Sequence, residues 1–375
     1  MELRLRRDLF LAELSPMQGI VERRTTIPVL SHILLRSAGK SLQLAATGLD
    51  VSLTSSVAAE VEGEGALAVQ AKKFTEIVRS VVADEVRLKV EDERTLLIQA
   101  GKARFRMHGL PAADFPSLPT VDGKPKMEVP LGSLRRLVGK ILFAVSGEDS
   151  RFQLSGALLK IKPKSVELVA TDGHRLALIE SPHEFKGAVE DSVLVPRKAL
   201  QELMRMEGDG NVLFRRGEHH LSFTVGGREM TCRVLEGSFP DYDRVISRGN
   251  DEKAVLDRKP LAEAVRRVAI MTGERNRGVR LEFASGELAI AAANPDLGDA
   301  SESLGCEITG GDIKIGLNPD YLGHFLDAVE TDPALARDIA DTTIYSVAVR
   351  RIKWSILGFV VGLVVLVATL SLSFV

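Results

Sequence analysis

The chain has 375 residues, 45% of them hydrophobic and 27% charged, with a formal net charge of −2. Those values exclude a disordered chain and leave room for two or three domains. They also exclude a uniformly basic polyanion binder, so any basic surface must be balanced by an acidic one. Cys232 and Cys306 lie far apart with no CxxC spacing. That pattern argues against a disulfide framework or a thiolate metal site and suits a reducing compartment.

In chain order, Glu2 to Leu5 read as a strand, and Phe10, Leu14, Met17 and Val21 follow at helical spacing. Arg4, Arg6 and Arg7 run into acidic Asp8 and Glu13 with no unbroken apolar core, so this start is not a secretory signal. The expected location is cytoplasmic. Similar helical stripes recur at Leu134, Leu137, Val138, Ile141, Leu142 and Val145, and at Leu261, Val265, Val268 and Met271. A hairpin with alternating apolar residues follows each: His32 to Thr47, Ala157 to Thr171, and Val279 to Ala293. Each hairpin ends in a polar cluster, Thr47 to Asp50, Thr171 to His174, and Ala293 to Asp296.

Second helices then read Phe74/Ile77/Val78/Val81/Val82, Leu200/Leu203/Met204 and Leu322/Phe325/Leu326/Val329. The period is about 120 to 125 residues, beyond solenoid repeats, and implies an α+β fold of three repeated domains. The expected domains are 1–122, 126–248 and 252–349, with linkers near Thr120 to Pro125 and Ser247 to Asp251. The first copy continues past its second helix with a hairpin (Val86 to Val90, Thr95 to Ala100) and a return strand (Ala103 to His108). After Glu330 the third copy has room for one strand, Thr342 to Val349, and is expected to be incomplete.

Basic residues fall on the polar faces of these helices, among them Lys72, Lys73, Arg79, Arg135, Arg136, Lys140, Arg197, Lys198, Arg205, Arg266 and Arg267. Acidic residues crowd at Glu60 to Glu64, Glu91 to Glu93 and Asp296 to Glu302. Solvated helix faces explain this pattern. So does a shared basic helix surface that grips a polyanion through its phosphates, with acidic sheets behind it. No P-loop, HExxH, GxSxG or strand-linked GxGxxG motif occurs. His219 and His220 are adjacent and would point to opposite faces of a strand, a poor metal pair. His174 beside Asp172 and Arg175 lacks a partnered nucleophile. No enzyme, cofactor or metal is expected.

Six stretches carry a resemblance: Thr26 to Leu30, Leu110 to Pro116, Ala170 to Leu176, Val195 to Lys198 with Leu203 to Met206, Phe239 to Arg244, and Arg277 to Arg280. In order and spacing, residues 1 to about 332 resemble the bacterial DNA polymerase III β subunit family, the replicative sliding clamps. The resemblance implies a head-to-tail homodimer of three-domain subunits, a ring lined by helices around duplex DNA, without sequence specificity. It implies partners that carry a clamp-binding motif, including the DNA polymerase III core and the clamp loader. It places DNA-facing cations at Arg24, Lys73, Lys198 and Arg205, and a DNA-contacting loop at 147–153. It places a partner-peptide pocket at Leu154, Thr171, Gly173, His174, Arg175, Leu176, Pro240, Arg244 and Val245. Apolar Leu154, Leu176, Pro240 and Val245 would accept Leu or Phe anchors there. Without that resemblance, Thr171 to Arg175 reads as a plain turn. The resemblance assigns Ile270 and Met271 to the subunit interface, against a face near Phe74, Ile77 and Val78.

The ending departs from that family. Arg350, Arg351 and Lys353 precede Trp354 to Val375, a segment with no charge. About 20 apolar residues span a bilayer, and the basic flank would lie on the cytoplasmic side. A transmembrane helix at 354–375, tethering the chain to the inner membrane, is one expectation. An unrelated ending produced by a frameshift or fusion is the other. The alternative function is a membrane-tethered or truncated clamp-like adaptor that does not close around DNA.

Overall fold

The structure, a computed structural model, describes residues 1–22, 25–147, 152–182, 190–246, 253–273, 277–329 and 344–348. The first repeat runs β1 (Glu2–Arg6), α1 (Arg7–Ile20), β2 (His32–Ala38), β3 (Ser41–Thr47), β4 (Val51–Ala58), β5 (Glu60–Gly63) and β6 (Ala66–Gln70). It continues with α2 (Ala71–Ser80), β7 (Glu85–Asp92), β8 (Thr95–Ala100) and β9 (Ala103–Pro111). The second has β10 (Met127–Pro130), α3 (Leu131–Ile141), β11 (Gly156–Ile161), β12 (Ser165–Thr171), β13 (Arg175–Pro182) and β14 (Asp191–Pro196). After these come α4 (Arg197–Arg205), β15 (Asn211–Arg216), β16 (His220–Val225) and β17 (Arg228–Arg233). The third has β18 (Lys253–Val255), α5 (Arg258–Ala269), β19 (Val279–Ala284), β20 (Glu287–Asn294) and β21 (Gly298–Gly305). It closes with β22 (Glu307–Thr309), β23 (Ile313–Leu317), α6 (Pro319–Ala328) and β24 (Ile344–Ala348).

The repeats are α+β, with antiparallel strands throughout the described pairings. They do not coincide with the two compact units of the chain, one built mainly from 1–136 and 184–235, the other mainly from 137–160, 165–183 and 236–375. The reason is a sheet of 13 strands in the first unit, ordered β10-β15-β16-β17-β4-β3-β2-β6-β9-β8-β7-β1-β5. Pairing of β17 with β4, Cys232 opposite Val51, carries hydrogen bonds from one repeat into the next. In the second unit β12 pairs with β13, β13 with β24, and β19 with β20 and β23.

Alternation along the strands sets the layers. In β2, Ile33 and Leu35 are buried while Leu34 and Arg36 face outward, and β3 repeats this with Leu42 and Leu44 inward. On the inner face of the first unit Phe10 of α1 meets Phe74 of α2 edge-on, ring centroids 5.6 Å apart. Two helices begin on side-chain caps: Gln70 accepts the Lys73 N–H at 2.8 Å, and Asn318 accepts the Asp320 N–H at 2.9 Å ahead of Pro319. The second unit's core joins Leu261, Val265 and Val268 of α5 to Leu281, Phe283, Leu288 and Ile290 of the sheet and Leu326 of α6.

Several expectations shift. Helix α1 buries Ile20 rather than Val21, because the helix ends there and Val21 is extended. Val82 lies beyond α2 and is 92% exposed, so it does not continue that stripe. The third copy's expected shortfall falls on 330–343 and 349–375, and the expected helix at 354–375 also lies outside the described residues. Among the described residues no helix is long and apolar enough to cross a membrane.

Candidate functional site

Two groups of residues sit on separate units. In the first unit, α1 packs against both α2 and α4. Lys73 projects from α2, and Lys198 and Arg205 from the two ends of α4. Each is held by a carboxylate: Lys73 by Glu76 at 2.8 Å, Lys198 by Glu22 at 2.5 Å, and Arg205 by Glu202 at 2.6 Å. Lys73 and Arg205 are largely exposed, so their pairs are screened and exchangeable. Lys72 and Arg79 of α2 are exposed, and Lys73 together with them holds the Glu76 carboxyl below its ordinary value. Glu202 differs from the other acids. Its side chain is buried, and burial raises its carboxyl above the ordinary value against the pull of Arg205 and Lys198. Arg24 lies outside the described residues, as does most of the expected DNA loop; Phe152, at the loop's end, is exposed.

In the second unit, the turn from β12 to β13 is tightly bonded. Asp172 Oδ1 accepts the N–H groups of His174 at 2.9 Å and Arg175 at 3.0 Å. Thr171 Oγ1 donates to the Arg175 carbonyl at 2.7 Å and accepts from Gly173 N–H at 3.1 Å. Gly173 sits at φ +86°, a conformation that favours glycine. The turn therefore presents Arg175 in a fixed direction. The Arg175 guanidinium bonds Asp172 at 3.0 Å and His324 Nδ1 at 2.7 Å. It lies over the rings of Tyr321, 4.6 Å from the centroid, and Phe143, 5.2 Å away. His174 stacks on Tyr321, centroids 6.4 Å apart.

The same unit holds the remaining predicted pocket residues. Leu154 is half-buried, its carbonyl accepting Ser146 N–H at 2.9 Å. Leu176 is buried, while Pro240 and Arg244 are exposed and Val245 is half-buried. The chain approaching Pro240 passes beside the 153–154 turn: a Cβ added at Gly237 would meet Gln153 Cγ at 3.4 Å. Tyr242 anchors the following turn. Its hydroxyl donates to Glu167, accepts from Lys160, and is pushed well above the ordinary phenol range by burial and by Glu167. Phe143, Tyr321 and His324, which hold Arg175, went unrecognised in the sequence. Their only signal was Tyr321 and His324 lying one helical turn apart.

Of the residues expected at the subunit interface, Phe74 and Val78 are completely buried and pack in the core of the first unit. Ile77 is half-buried. Ile270 is 75% exposed just past α5, and Met271 is half-buried. Among the described residues no group of three or more His, Cys, Asp or Glu side chains is placed to hold a metal ion.

Comparison with known proteins bears on these sites. The DNA polymerase III beta subunit N-terminal domain matches residues 1–119, its central domain 128–241 and its C-terminal domain 243–337. The beta sliding clamp of Pseudomonas aeruginosa is 38% identical over 336 residues, covering 88% of this chain and 91% of its own. That of Escherichia coli K12 is 34% identical over the same shares. A crystal structure of a Pseudomonas aeruginosa sliding clamp bound to griselimycin superposes with a TM-score of 0.83, at 36% identity over 93% of each chain. With three successive domains matched in order, the chain belongs to the DNA polymerase III beta subunit family.

Proposed function

We propose that this protein is a DNA sliding clamp, a processivity factor with no chemistry of its own. It encircles duplex DNA as a head-to-tail dimer and tethers the polymerase and other proteins bearing a clamp-binding motif. The observation that carries this is the ordered match of three family domains, with named relatives covering 88% of the chain. It favours the clamp over a clamp-like adaptor that leaves DNA unencircled.

In this reading Arg24, Lys73, Lys198 and Arg205 face the DNA backbone without reading bases, and Lys73, Lys198 and Arg205 exchange their carboxylates for phosphates. The turn at 171–176, with Leu154, Pro240, Arg244 and Val245, receives partner peptides. Ile270 and Met271 meet the neighbouring subunit. Loading onto nicked circular DNA, followed by linearisation, tests the function. Retention on the circle and loss from the linear form is expected; equal retention on both would overturn encirclement.

The uncharged stretch Trp354 to Val375, following Arg350, Arg351 and Lys353, supports a finer reading in which the clamp works in the cytoplasm while tethered to a membrane. Sedimentation with membranes through an alkaline wash, abolished by deleting 354–375, is the expected result. A wash that releases the full chain removes the tether. The shortfall read for the third repeat is tested by a chain ending at Ser346, since normal dimerisation would overturn it.

A further inference from the structure

A cavity of about 710 Å³ lies in the first unit between the outer face of the large sheet and the strap that leaves β9. Its floor is two cross-strand rows. Leu34, Ala45 and Thr54 stand opposite one another on β2, β3 and β4, and Arg36, Gln43 and Ser56 form the next row. Phe115, Pro116 and Leu118 of the strap form the roof. Arg36 is the one charged side chain among the lining residues. Its guanidinium and the Gln43 amide have no side-chain partner among the described residues.

The second repeat shows what such a space is built to hold. In the hairpins, Leu34-Leu35-Arg36 corresponds to Leu158-Leu159-Lys160, and Leu42-Gln43-Leu44 to Val166-Glu167-Leu168. In the connectors, Phe115-Pro116-Ser117-Leu118 corresponds to Phe239-Pro240-Asp241-Tyr242. There the Tyr242 ring lies beneath Lys160 Nζ, 4.6 Å from the centroid, and its hydroxyl joins Glu167 to Lys160. Aromatic ring, carboxylate and cation close the space. In the first repeat the cation remains, glutamine replaces the carboxylate, and Leu118 brings neither ring nor hydroxyl. Arg36 and Gln43 are left facing a cavity of the size that ordinarily takes a ligand.

We infer that the cavity under the first connector is a second docking site, for a partner peptide that presents an aromatic side chain next to a carboxylate. The aromatic ring would lie over Leu34 and Ala45 beneath Phe115. The carboxylate would take the Arg36 guanidinium and the Gln43 amide N–H, the charge that repeat two supplies internally. The sheet strands there are already paired on both sides, so recognition runs through side chains rather than strand addition.

The inference stands on this cavity and not on encirclement of DNA, so the two fail separately. The test uses the full chain and the capped pentapeptide Phe-Pro-Asp-Tyr-Asp, the sequence of residues 239–243, followed by NMR and calorimetry. Saturable binding with shifts at Leu34, Gln43 and Leu118 is expected. Arg36→Ala, at an exposed position, would weaken binding about tenfold by removing one charged hydrogen-bond partner. Leu118→Tyr would abolish binding by filling the cavity from within, with an unchanged or raised Tm. No saturable binding overturns the proposal. So does binding that neither substitution alters, or binding lost instead in Arg175→Ala, which would place the peptide at the 171–176 turn.

Discussion

Glu202 receives the Arg205 guanidinium at 2.6 Å while its own carboxylate is pressed against Gly19 of the neighbouring helix. A Cβ at Gly19 would meet Glu202 Cδ at 2.7 Å, so this glycine is what lets α1 and α4 approach with an acid between them. Burial raises the Glu202 carboxyl above its ordinary 4.5. A raised carboxyl pKa stabilises the fold most below 4.5, and that contribution is lost as pH rises through the folded value. Glu202→Gln is therefore expected to flatten the fall in stability above that pH. At neutral pH the variant should be equally stable or gain about 1 kcal/mol. Arg205 stays in water and loses little. Urea denaturation across a pH series checks this; a steeper fall in the variant would refute it.

Lys198 and Lys73 are expected to act by charge alone. Lys198→Ala should weaken binding to every DNA sequence equally. It should lower the slope of log K against log salt by about 0.9, the effect of one phosphate contact. Binding titrations at several salt concentrations measure it, and an unchanged slope removes Lys198 from the contact set.

Phe74→Ala should behave as a core deletion. Both rings of the Phe10–Phe74 pair are completely buried, so the expected cost is about 3 to 5 kcal/mol of unfolding free energy. A residue of the subunit interface would instead lower dimer affinity and leave subunit stability unchanged. Denaturant unfolding and sedimentation of the same variant separate the two.

Tyr242→Phe removes the hydroxyl shared by Glu167 and Lys160. Glu167 is buried, so losing this donor should cost about 1 to 3 kcal/mol. The phenol is held above its ordinary 10.0 by burial and Glu167. Its stabilisation is present below pH 10 and is lost as pH rises through the folded value. The parent chain should lose stability above pH 10 more steeply than the variant. Parallel alkaline curves would show that the hydroxyl contributes nothing.

Arg175→Ala should weaken a Leu- and Phe-bearing partner peptide at least about tenfold, since the guanidinium orders Tyr321, Phe143 and His324 as well as the turn. Fluorescence anisotropy reads the affinity. A Lys substitution keeps the charge but not the planar stacking, so it should rescue little. Full rescue by Lys would assign the effect to charge.

Much of the fold was legible because it rests on periodicity. Phe10, Leu14 and Met17 mark α1, and the alternation from Ile33 to Leu44 marks a hairpin with one buried face. Which apolar helix residues are core and which are surface was not legible. Phe74 and Val82 share a sequence stripe, yet one is fully buried and the other lies past the helix end. The turn at Thr171 to Arg175 was visible as a motif, and the structure shows it as a tightly bonded turn that orients Arg175. Its support from Tyr321 and His324 was invisible because those residues are about 150 positions away and lie on a different repeat.

The pairing of β17 with β4 also sets how the chain comes apart. Cys232 opposite Val51 is buried, and burial pushes its thiol up to about 12, so the joint carries no reactive thiolate. Cutting the chain between the first and second repeats would bare two long strand edges where none is now open. Autonomous folding should therefore follow the compact units rather than the repeats. Amides of β15 to β17 should exchange with solvent at the rate of the first repeat, and those of β12 and β13 at the rate of the third. A gene assembled from repeats would then be taken apart by its protein along a different line.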